Sequence, residues 1–189
     1  MSDLSPVVRL ALLLIAWFVW FMAFVVRGKR HHEKAVQVDP KARWGIALSG
    51  VGYFLVFKHS PQVWSADLAW WRALAGFVFA LSAIVMAWAA VGTLGSQWRV
   101  DAGLNKEHEL VQAGAYRIVR HPIYASMLGM FLAAACWVGT LPGWPIGLVF
   151  IVVGTEIRVR VEDALLRDRF GERFVAWQHS VPAYLPFVR

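Results

Sequence analysis

The chain has 189 residues, of which 59% are hydrophobic and 16% are charged. An ordinary soluble domain is about 45 to 50% apolar and about 25% charged, so this composition excludes a typical water-soluble globule. Eleven Trp and twelve Phe agree with a lipid environment, where amphipathic aromatic residues gather at the interfaces. The sequence therefore predicts an all-α integral membrane protein that forms one membrane domain over residues 1–189.

Long uncharged runs locate the membrane helices at residues 10–26, 44–57, 73–98 and 123–155. One crossing needs about 20 residues, and the last run would be roughly 50 Å long as a single helix, against a hydrocarbon core of about 30 Å. Two prolines and a glycine within residues 141–145 interrupt that run. We therefore expect five transmembrane helices, the last two forming a proline-broken helical hairpin.

The basic residues test this topology. All but three of the 19 Lys and Arg lie between the first and second helices, between the third and fourth, or after the fifth. Five crossings with the N-terminus outside place all three groups in the cytoplasm, which predicts a multi-pass protein of a bacterial inner membrane. Nucleic-acid binding is not expected, because no DNA or RNA motif accompanies the charge. The first run is not expected to be a removable signal peptide, since its positive cluster follows the apolar stretch.

The two halves of the chain differ in chemistry. Residues 1–95 are interpreted as three N-terminal transmembrane helices, and Gly45, Ser49 and Gly52 give the second a face that permits close packing, with the oligomeric state left open. Nearly all the unusual polar residues lie in residues 96–189, which we interpret as the cofactor-binding and catalytic half.

A first candidate site lies where the fourth helix is expected to begin, at His121. Pro122 suits the first turn of a helix because its missing N–H costs nothing there. Free N–H groups and the positive end of the helix dipole would then hold an anion such as a carboxylate, with Arg120 adding charge and His121 a donor. In the alternative interpretation, Arg120 and His121 anchor the helix end at the lipid headgroups.

A second candidate site lies where the last membrane helix leaves its apolar run. Helical spacing of i and i+4 pairs Glu156 with Arg160, Arg158 with Glu162, and Asp163 with Arg167. Ionisable groups near membrane depth indicate a functional site, and Arg158 and Glu162 would present opposite charges to one ligand. The alternative is a solvated ladder of ion pairs.

The C-terminal region predicts an amphipathic helix. Gly171 is typical of a helix stop, and Phe170, Phe174 and Trp177 keep helical spacing. We expect this segment to lie on the membrane surface or to cover the polar cluster.

These motifs together resemble the isoprenylcysteine carboxyl methyltransferase family, which is related to the integral-membrane phospholipid N-methyltransferases. The resemblance covers roughly the last 90 residues in order: His108-Glu109-Leu110-Val111, Tyr116, Val119-Arg120-His121-Pro122-Ile123-Tyr124, Arg158, Glu162-Asp163, Leu166, Phe170-Gly171, and Val181-Pro182 to Pro186.

The resemblance implies an S-adenosylmethionine-dependent methyltransferase that releases S-adenosylhomocysteine and has its cofactor pocket at the cytoplasmic edge of the membrane. It implies cofactor contacts from His108, Leu110, Val111, Tyr116, His121, Pro122, Ile123, Tyr124 and Glu162. Arg158 and Glu162 are then the candidate catalytic residues, with Arg158 on the substrate side. No metal is expected, since methyl transfer from a sulfonium is an in-line displacement.

The expected partners are membrane lipids and a lipophilic small-molecule or lipidated substrate that enters from the bilayer. An isoprenylcysteine-type carboxylate is the preferred methyl acceptor. Phospholipid or amine N-methylation and small-thiol S-methylation remain alternatives. A non-catalytic membrane scaffold and a nicotinamide-dependent reductase are alternatives of other classes.

Overall fold

The computed structural model describes residues 5–27, 37–58, 68–99, 103–104 and 108–185, and these are mostly helical. The helices are α1 (Pro6–Val26), α2 (Ala42–Lys58), α3 (Trp70–Leu94), α4 (Pro122–Val138), α5 (Gly143–Phe170) and α6 (Glu172–Ser180). Short 3-10 turns occupy Gly95–Gln97 and Gly114–Arg117. The predicted break in the fourth apolar run is confirmed, because α4 ends at Val138 and α5 begins at Gly143.

Among the described residues, two helices are long and apolar enough to cross a bilayer, namely α1 and α3 with its 3-10 extension to Gln97. Helix α4 is apolar but has 17 residues, and α5 has 28 residues with its charged end beyond the apolar run. The count of five crossings therefore stays a prediction. Large apolar side chains face outward along the bundle, including Phe18 at 65% exposure and Val85 at 59%, and such a surface suits lipid.

One small β-ladder departs from the all-α prediction. Strand β1 (Gln37–Val38) pairs antiparallel with β2 (Gly103–Leu104), with Gln37 opposite Leu104. Leu104 is buried in a small cluster with Val161. The ladder thus joins the segment after α1 to the segment after α3 at the end of the bundle where α5 becomes polar.

Three polar side chains inside the apolar bundle form hydrogen bonds between helices. Trp20 Nε1 donates to Ser126 Oγ at 3.1 Å, and Trp137 Nε1 donates to the Ala73 carbonyl at 3.1 Å. Tyr53 donates its hydroxyl to a carbonyl of α4 at 2.7 Å. Because an unpaired polar group is costly where water is absent, these bonds fix how α1, α2 and α3 meet α4.

The small residues of α2 pack against α5 within the chain. A Cβ atom added to Gly52 would lie 2.7 Å from the carbonyl oxygen of Gly147. A Cβ atom added to Gly45 would lie 2.5 Å from both the Gly154 carbonyl oxygen and Cγ of Arg158. The face expected to permit close packing is therefore used between α2 and α5, and it sets the position of Arg158.

The chain reverses at Gly171 and runs back over the end of α5. Gly171 ends α5 with φ of 54°, a conformation that favours glycine, so the predicted helix stop is confirmed. After α6, residues 181–185 form an extended segment, the C-terminal strap. Backbone N–H groups of Arg120 and His121 donate to carbonyls of this strap at 2.8 and 2.7 Å. Pro186 lies outside the described residues.

Candidate active site

A cavity of about 350 Å³ lies between the end of α3, the start of α4 and the polar end of α5. Typical small-molecule sites measure roughly 300 to 1,000 Å³, so the volume suits an organic ligand. Its wall includes nine of the residues singled out from the sequence: His108, Leu110, Val111, Tyr116, His121, Ile123, Tyr124, Arg158 and Glu162. The structure thus brings the two polar clusters flanking α4 and α5 to one cavity, while the role of each residue in binding stays a prediction.

Pro122 is the exception. It is buried at the first turn of α4 and is not part of the cavity wall. Its ring fixes φ near the helical value and so favours the helix start that places Ile123 and Tyr124. The expected contact between Pro122 and a cofactor therefore has no support in the geometry.

Several residues of the cavity wall were not predicted from the sequence. Trp20, Phe21 and Phe24 of α1 line the cavity, as do Gln97 and Trp98 after α3. The proposed division at residue 95 is therefore incomplete, because the first half of the chain also builds the site. An apolar residue of a membrane helix carries no signal in sequence that distinguishes a cavity wall from a lipid-facing position.

The segment that carries His108 is fastened to the end of α3. The backbone N–H of Glu109 donates to Gln97 Oε1 at 2.8 Å. This bond joins two parts of the cavity wall, because Gln97 and Glu109 both line the cavity.

Arg158, Tyr124 and Glu162 form a connected chain on the wall. Arg158 Nε donates to the Tyr124 hydroxyl at 2.8 Å, and that hydroxyl donates to Glu162 Oε1. The predicted pair is present, with Arg158 Nη2 4.0 Å from Glu162 Oε1. At this distance the two side chains interact mainly through the Tyr124 hydroxyl. The other predicted pair, Glu156 with Arg160, is present at 2.8 Å, and the Arg160 side chain is 71% exposed.

His121 lies between two carboxylates. Its Nδ1 is 3.3 Å from Glu162 Oε2, and its Nε2 is 2.8 Å from Asp163 Oδ1. Burial by itself lowers the pKa of His121, but the hydrogen bonds to Asp163 and Glu162 outweigh it and raise the pKa above 6.5. Both ring nitrogens are therefore occupied, and His121 orients Glu162 instead of offering the free donor expected from the sequence.

The expected pair of Asp163 with Arg167 is wrong. Asp163 is 4% exposed and accepts from Arg120 Nη2 at 3.0 Å as well as from His121. It accepts from Gln178 Nε2 at 3.0 Å, and Arg167 donates instead to Gln178 Oε1 at 2.6 Å. Asp163 faces inward from α5, where partners distant in sequence replace its helical neighbour.

The side chain of Arg120, which also lines the cavity, bonds groups of the protein itself. It is 2% exposed, and its guanidinium donates to Asp163 and to backbone carbonyls at the end of α6. Its backbone N–H and that of His121 donate to the C-terminal strap. Arg120 therefore holds the C-terminal region in place and is not a headgroup anchor.

His108 lines the cavity, and one of its ring nitrogens lacks a partner among the described residues. Its Nδ1 is buried, and its ring lies 6.4 Å from that of Phe170. Burial and then the charge of Arg169 lower the pKa of His108 below 6.5, so the imidazole is neutral at pH 7. A ligand that hydrogen-bonds this nitrogen would satisfy it.

A family model described as phospholipid methyltransferase matches residues 71–173, which span α3 to the first turn of α6. The chain belongs to this family. Curated relatives include the protein-S-isoprenylcysteine O-methyltransferases B and A of Arabidopsis thaliana, 28% and 29% identical over 125 residues. The resemblance to the isoprenylcysteine carboxyl methyltransferase family is thereby confirmed.

The coverage of these matches differs between sequence and structure. The aligned region is 63% of this chain and 61% of each Arabidopsis relative. The solved structure of a eukaryotic intramembrane Ras methyltransferase, ICMT, superposes with a TM-score of 0.68 at 18% identity and covers 97% of this chain and 68% of that one. The likeness of fold therefore includes α1 and α2, which the family model does not reach.

Proposed function

We propose that this protein is an S-adenosylmethionine-dependent methyltransferase that methylates the carboxylate of a lipophilic, isoprenylcysteine-type acceptor and releases S-adenosylhomocysteine. One observation carries the proposal. Arg158, Tyr124 and Glu162 join end to end on the wall of a cavity that is otherwise lined mainly by aromatic and aliphatic residues. A dry wall with a few convergent charges suits a reaction that needs alignment and charge more than acid–base chemistry.

The residues present fit the cofactor. When bound, S-adenosylmethionine supplies a methyl group activated by a positively charged sulfur. Glu162, whose side chain is 26% exposed at the cavity, offers negative charge to the sulfonium or the amino group. Tyr116 and Trp98 line the cavity with aromatic rings, which attract cations, and His108 lines it with an imidazole.

Arg158 is proposed to orient the acceptor. Its planar guanidinium matches a carboxylate with two parallel donors, and the hydrogen bond to Tyr124 fixes the plane in which it is presented. Trp20, Phe21 and Phe24 of α1 line the same cavity, and Phe21 is 56% exposed toward the surroundings of the bundle. An apolar substituent of the acceptor would thus reach the site along α1 from the bilayer.

Other acceptors are a second candidate function. The description of the matching family favours phospholipid amines, and a small thiol would also fit the cavity. Arginine binds phosphate groups in the same way as it binds carboxylates, so Arg158 also suits a phospholipid. A panel of prenylcysteines, phospholipids and small thiols offered with radiolabelled S-adenosylmethionine identifies the acceptor by the product that gains label.

Direct binding tests the cofactor site. Labelled S-adenosylmethionine should bind the purified protein, and Glu162→Ala or His121→Ala should weaken binding while the far-ultraviolet circular dichroism stays helical. Glu172→Ala and His179→Ala, exposed on α6, serve as matched controls with unchanged binding. Normal binding in both site variants would remove the site assignment.

The alternatives of other classes give different results in the same preparation. S-adenosylhomocysteine should raise the midpoint of thermal unfolding and NADPH should not, because a ligand that binds only the folded state stabilises it. Stabilisation by NADPH alone would indicate a reductase. A non-catalytic scaffold would bind neither ligand and would tolerate substitution throughout the polar cluster.

We further propose a bacterial inner membrane with the N-terminus outside and the site in the cytoplasm. The β1–β2 ladder, the start of α4 and the polar end of α5 occupy the end of the bundle that holds the cavity. Most of the basic residues that the structure describes belong to the segments at this end, as the positive-inside rule requires of the cytoplasmic side. In a Cys136→Ser background, the variant Arg117→Cys should react with a membrane-impermeant maleimide in inverted vesicles and not in spheroplasts; the reverse pattern would overturn the orientation.

A further inference from the structure

Three hydrogen-bonded side chains, Arg120, Asp163 and Gln178, lie at the cavity wall, and Arg120 is itself one of the residues that line it. Asp163 Oδ2 accepts from Arg120 Nη2 at 3.0 Å and from Gln178 Nε2 at 3.0 Å. The side chains of Arg120 and Asp163 are 1% and 6% exposed. Removing one partner of such a pair leaves the other charge without compensation, so the geometry of this group is strongly determined.

The group joins three elements that are distant in sequence. Arg120 precedes α4, Asp163 lies on α5, and Gln178 lies in the last turn of α6. Arg120 Nη1 also donates to the backbone carbonyls of Gln178 at 3.1 Å and of Val181. A cation that bonds the last carbonyls of a helix stabilises that end, so Arg120 holds the C-terminus of α6.

Helix α6 contributes one wall residue to the cavity, Trp177. Trp177 is 7% exposed, lines the cavity, and packs edge-on against Phe174 with ring centroids 6.0 Å apart. Gln178 follows Trp177 directly in sequence and faces Asp163 instead of the cavity. The side chain of Gln178 therefore fixes the rotation of α6 that presents Trp177 to the ligand.

Helix α6 is linked to α5 through Gly171, whose backbone is hydrogen-bonded to both helices. The hydrogen bonds of Gln178 and Arg120 add contacts at the other end of α6.

We propose that Gln178 is a positioning residue for cofactor binding, which acts by holding Trp177 and the C-terminal strap against the cavity through Asp163 and Arg120. This rests on the proposed function in that the ligand is the methyl donor or its product. Gln178 does not touch the ligand. Its loss should therefore weaken the affinity for cofactor and leave the turnover of saturated enzyme unchanged.

The variants Gln178→Ala and Gln178→Glu separate the two hydrogen bonds of the side chain. Alanine removes both, whereas glutamate keeps an acceptor for Arg167 and places a negative charge against Asp163. His179→Ala, exposed on the same helix, is the matched control. We expect the Kd for S-adenosylhomocysteine to rise about three- to tenfold in the alanine variant, which corresponds to the loss of one or two ordinary hydrogen bonds. The Kd should rise further in the glutamate variant.

The experiment measures S-adenosylhomocysteine binding by calorimetry together with amide hydrogen exchange over residues 172–185 in the full chain. Faster exchange there in both variants, with a raised KM for S-adenosylmethionine and an unchanged kcat, supports the positioning role. If both Gln178 variants bind S-adenosylhomocysteine as tightly as the wild type does, this inference is overturned and the proposed function is unaffected. Absence of binding to the wild type would overturn the proposed function and this inference with it.

Discussion

The guanidinium carbon of Arg158 lies 5.0 Å from the centroid of the Tyr124 ring, while Arg158 Nε donates to the hydroxyl of the same tyrosine at 2.8 Å. The cation is thus held both by the aromatic ring and by its hydroxyl, and the hydroxyl in turn donates to Glu162. One tyrosine on α4 therefore determines how two charges of α5 face the cavity.

Arg158→Lys should lower kcat/KM for a carboxylate acceptor about ten- to one-hundredfold. Lysine keeps the positive charge but loses the planar pair of donors, and a hydrogen bond to a charged group is worth about 1.5 to 3 kcal/mol. Initial rates with a prenylcysteine acceptor measure the loss, and binding of S-adenosylhomocysteine should stay unchanged. Arg160→Lys is the control, because Arg160 lies two residues further along α5 and its side chain is 71% exposed. Equal rates for Arg158→Lys and wild type would argue against carboxylate binding by Arg158.

The ion pair of His121 predicts a pH dependence of stability. The folded state raises the pKa of His121 above 6.5, so it holds the proton more tightly than the unfolded chain does. This stabilisation is fully present below pH 6.5 and is lost as the pH rises through the raised value. Thermal unfolding followed by circular dichroism from pH 6 to 10 should show this decline in the wild type.

Asp163→Asn should diminish that decline, because the amide no longer favours the imidazolium. Asp168→Asn removes an exposed carboxylate of the same helix and should leave the pH profile as in the wild type. Identical profiles for Asp163→Asn and wild type would contradict the assigned pairing.

Gly45→Ala should destabilise the protein by about 1 to 3 kcal/mol, the usual effect of forcing extra volume into a packed interface. The new Cβ would lie 2.5 Å from Cγ of Arg158, so methyl transfer should fall as well. Gly50 lies on the same helix with nothing within 4 Å of an added Cβ, and Gly50→Ala should be neutral or stabilising by up to about 1 kcal/mol. Chemical unfolding of both variants in detergent measures the difference, and similar effects of the two changes would show that α2 does not pack on α5 as described.

Phe24→Ala should raise KM for a lipophilic acceptor about tenfold or more, because a buried aromatic side chain contributes about 1.5 to 3 kcal/mol of apolar contact. Phe24 lines the cavity and packs against Trp20 with ring centroids 4.8 Å apart. Phe18 lies on the same helix, 65% exposed, and Phe18→Ala should not change KM. Kinetics with acceptors of different chain length measure both variants. An unchanged KM in Phe24→Ala would remove α1 from the acceptor path.

Much of the helical organisation follows from the sequence, because uncharged runs and prolines report directly on burial in lipid and on helix breaks. The convergence of Tyr124 with Glu162 was also predictable, since the order of motifs identified the family. The partners of Asp163 were not. The i and i+4 rule compares neighbours on one helix only, whereas Arg120 and Gln178 reach this carboxylate from two other elements. The role of Trp20 was equally hidden, because its place on the cavity wall depends on how α1 packs.

The aromatic side chains that α1 lends to the cavity mean that the hydrophobic N-terminal region is more than a membrane anchor. Trp20 has two roles: it lines the cavity, and its indole N–H donates to Ser126 of α4. If residues 96–189 were fused to an unrelated membrane anchor, the cavity would lack the part of its wall that α1 provides. Substitutions in α1 that preserve its hydropathy would still change the shape of the cavity wall.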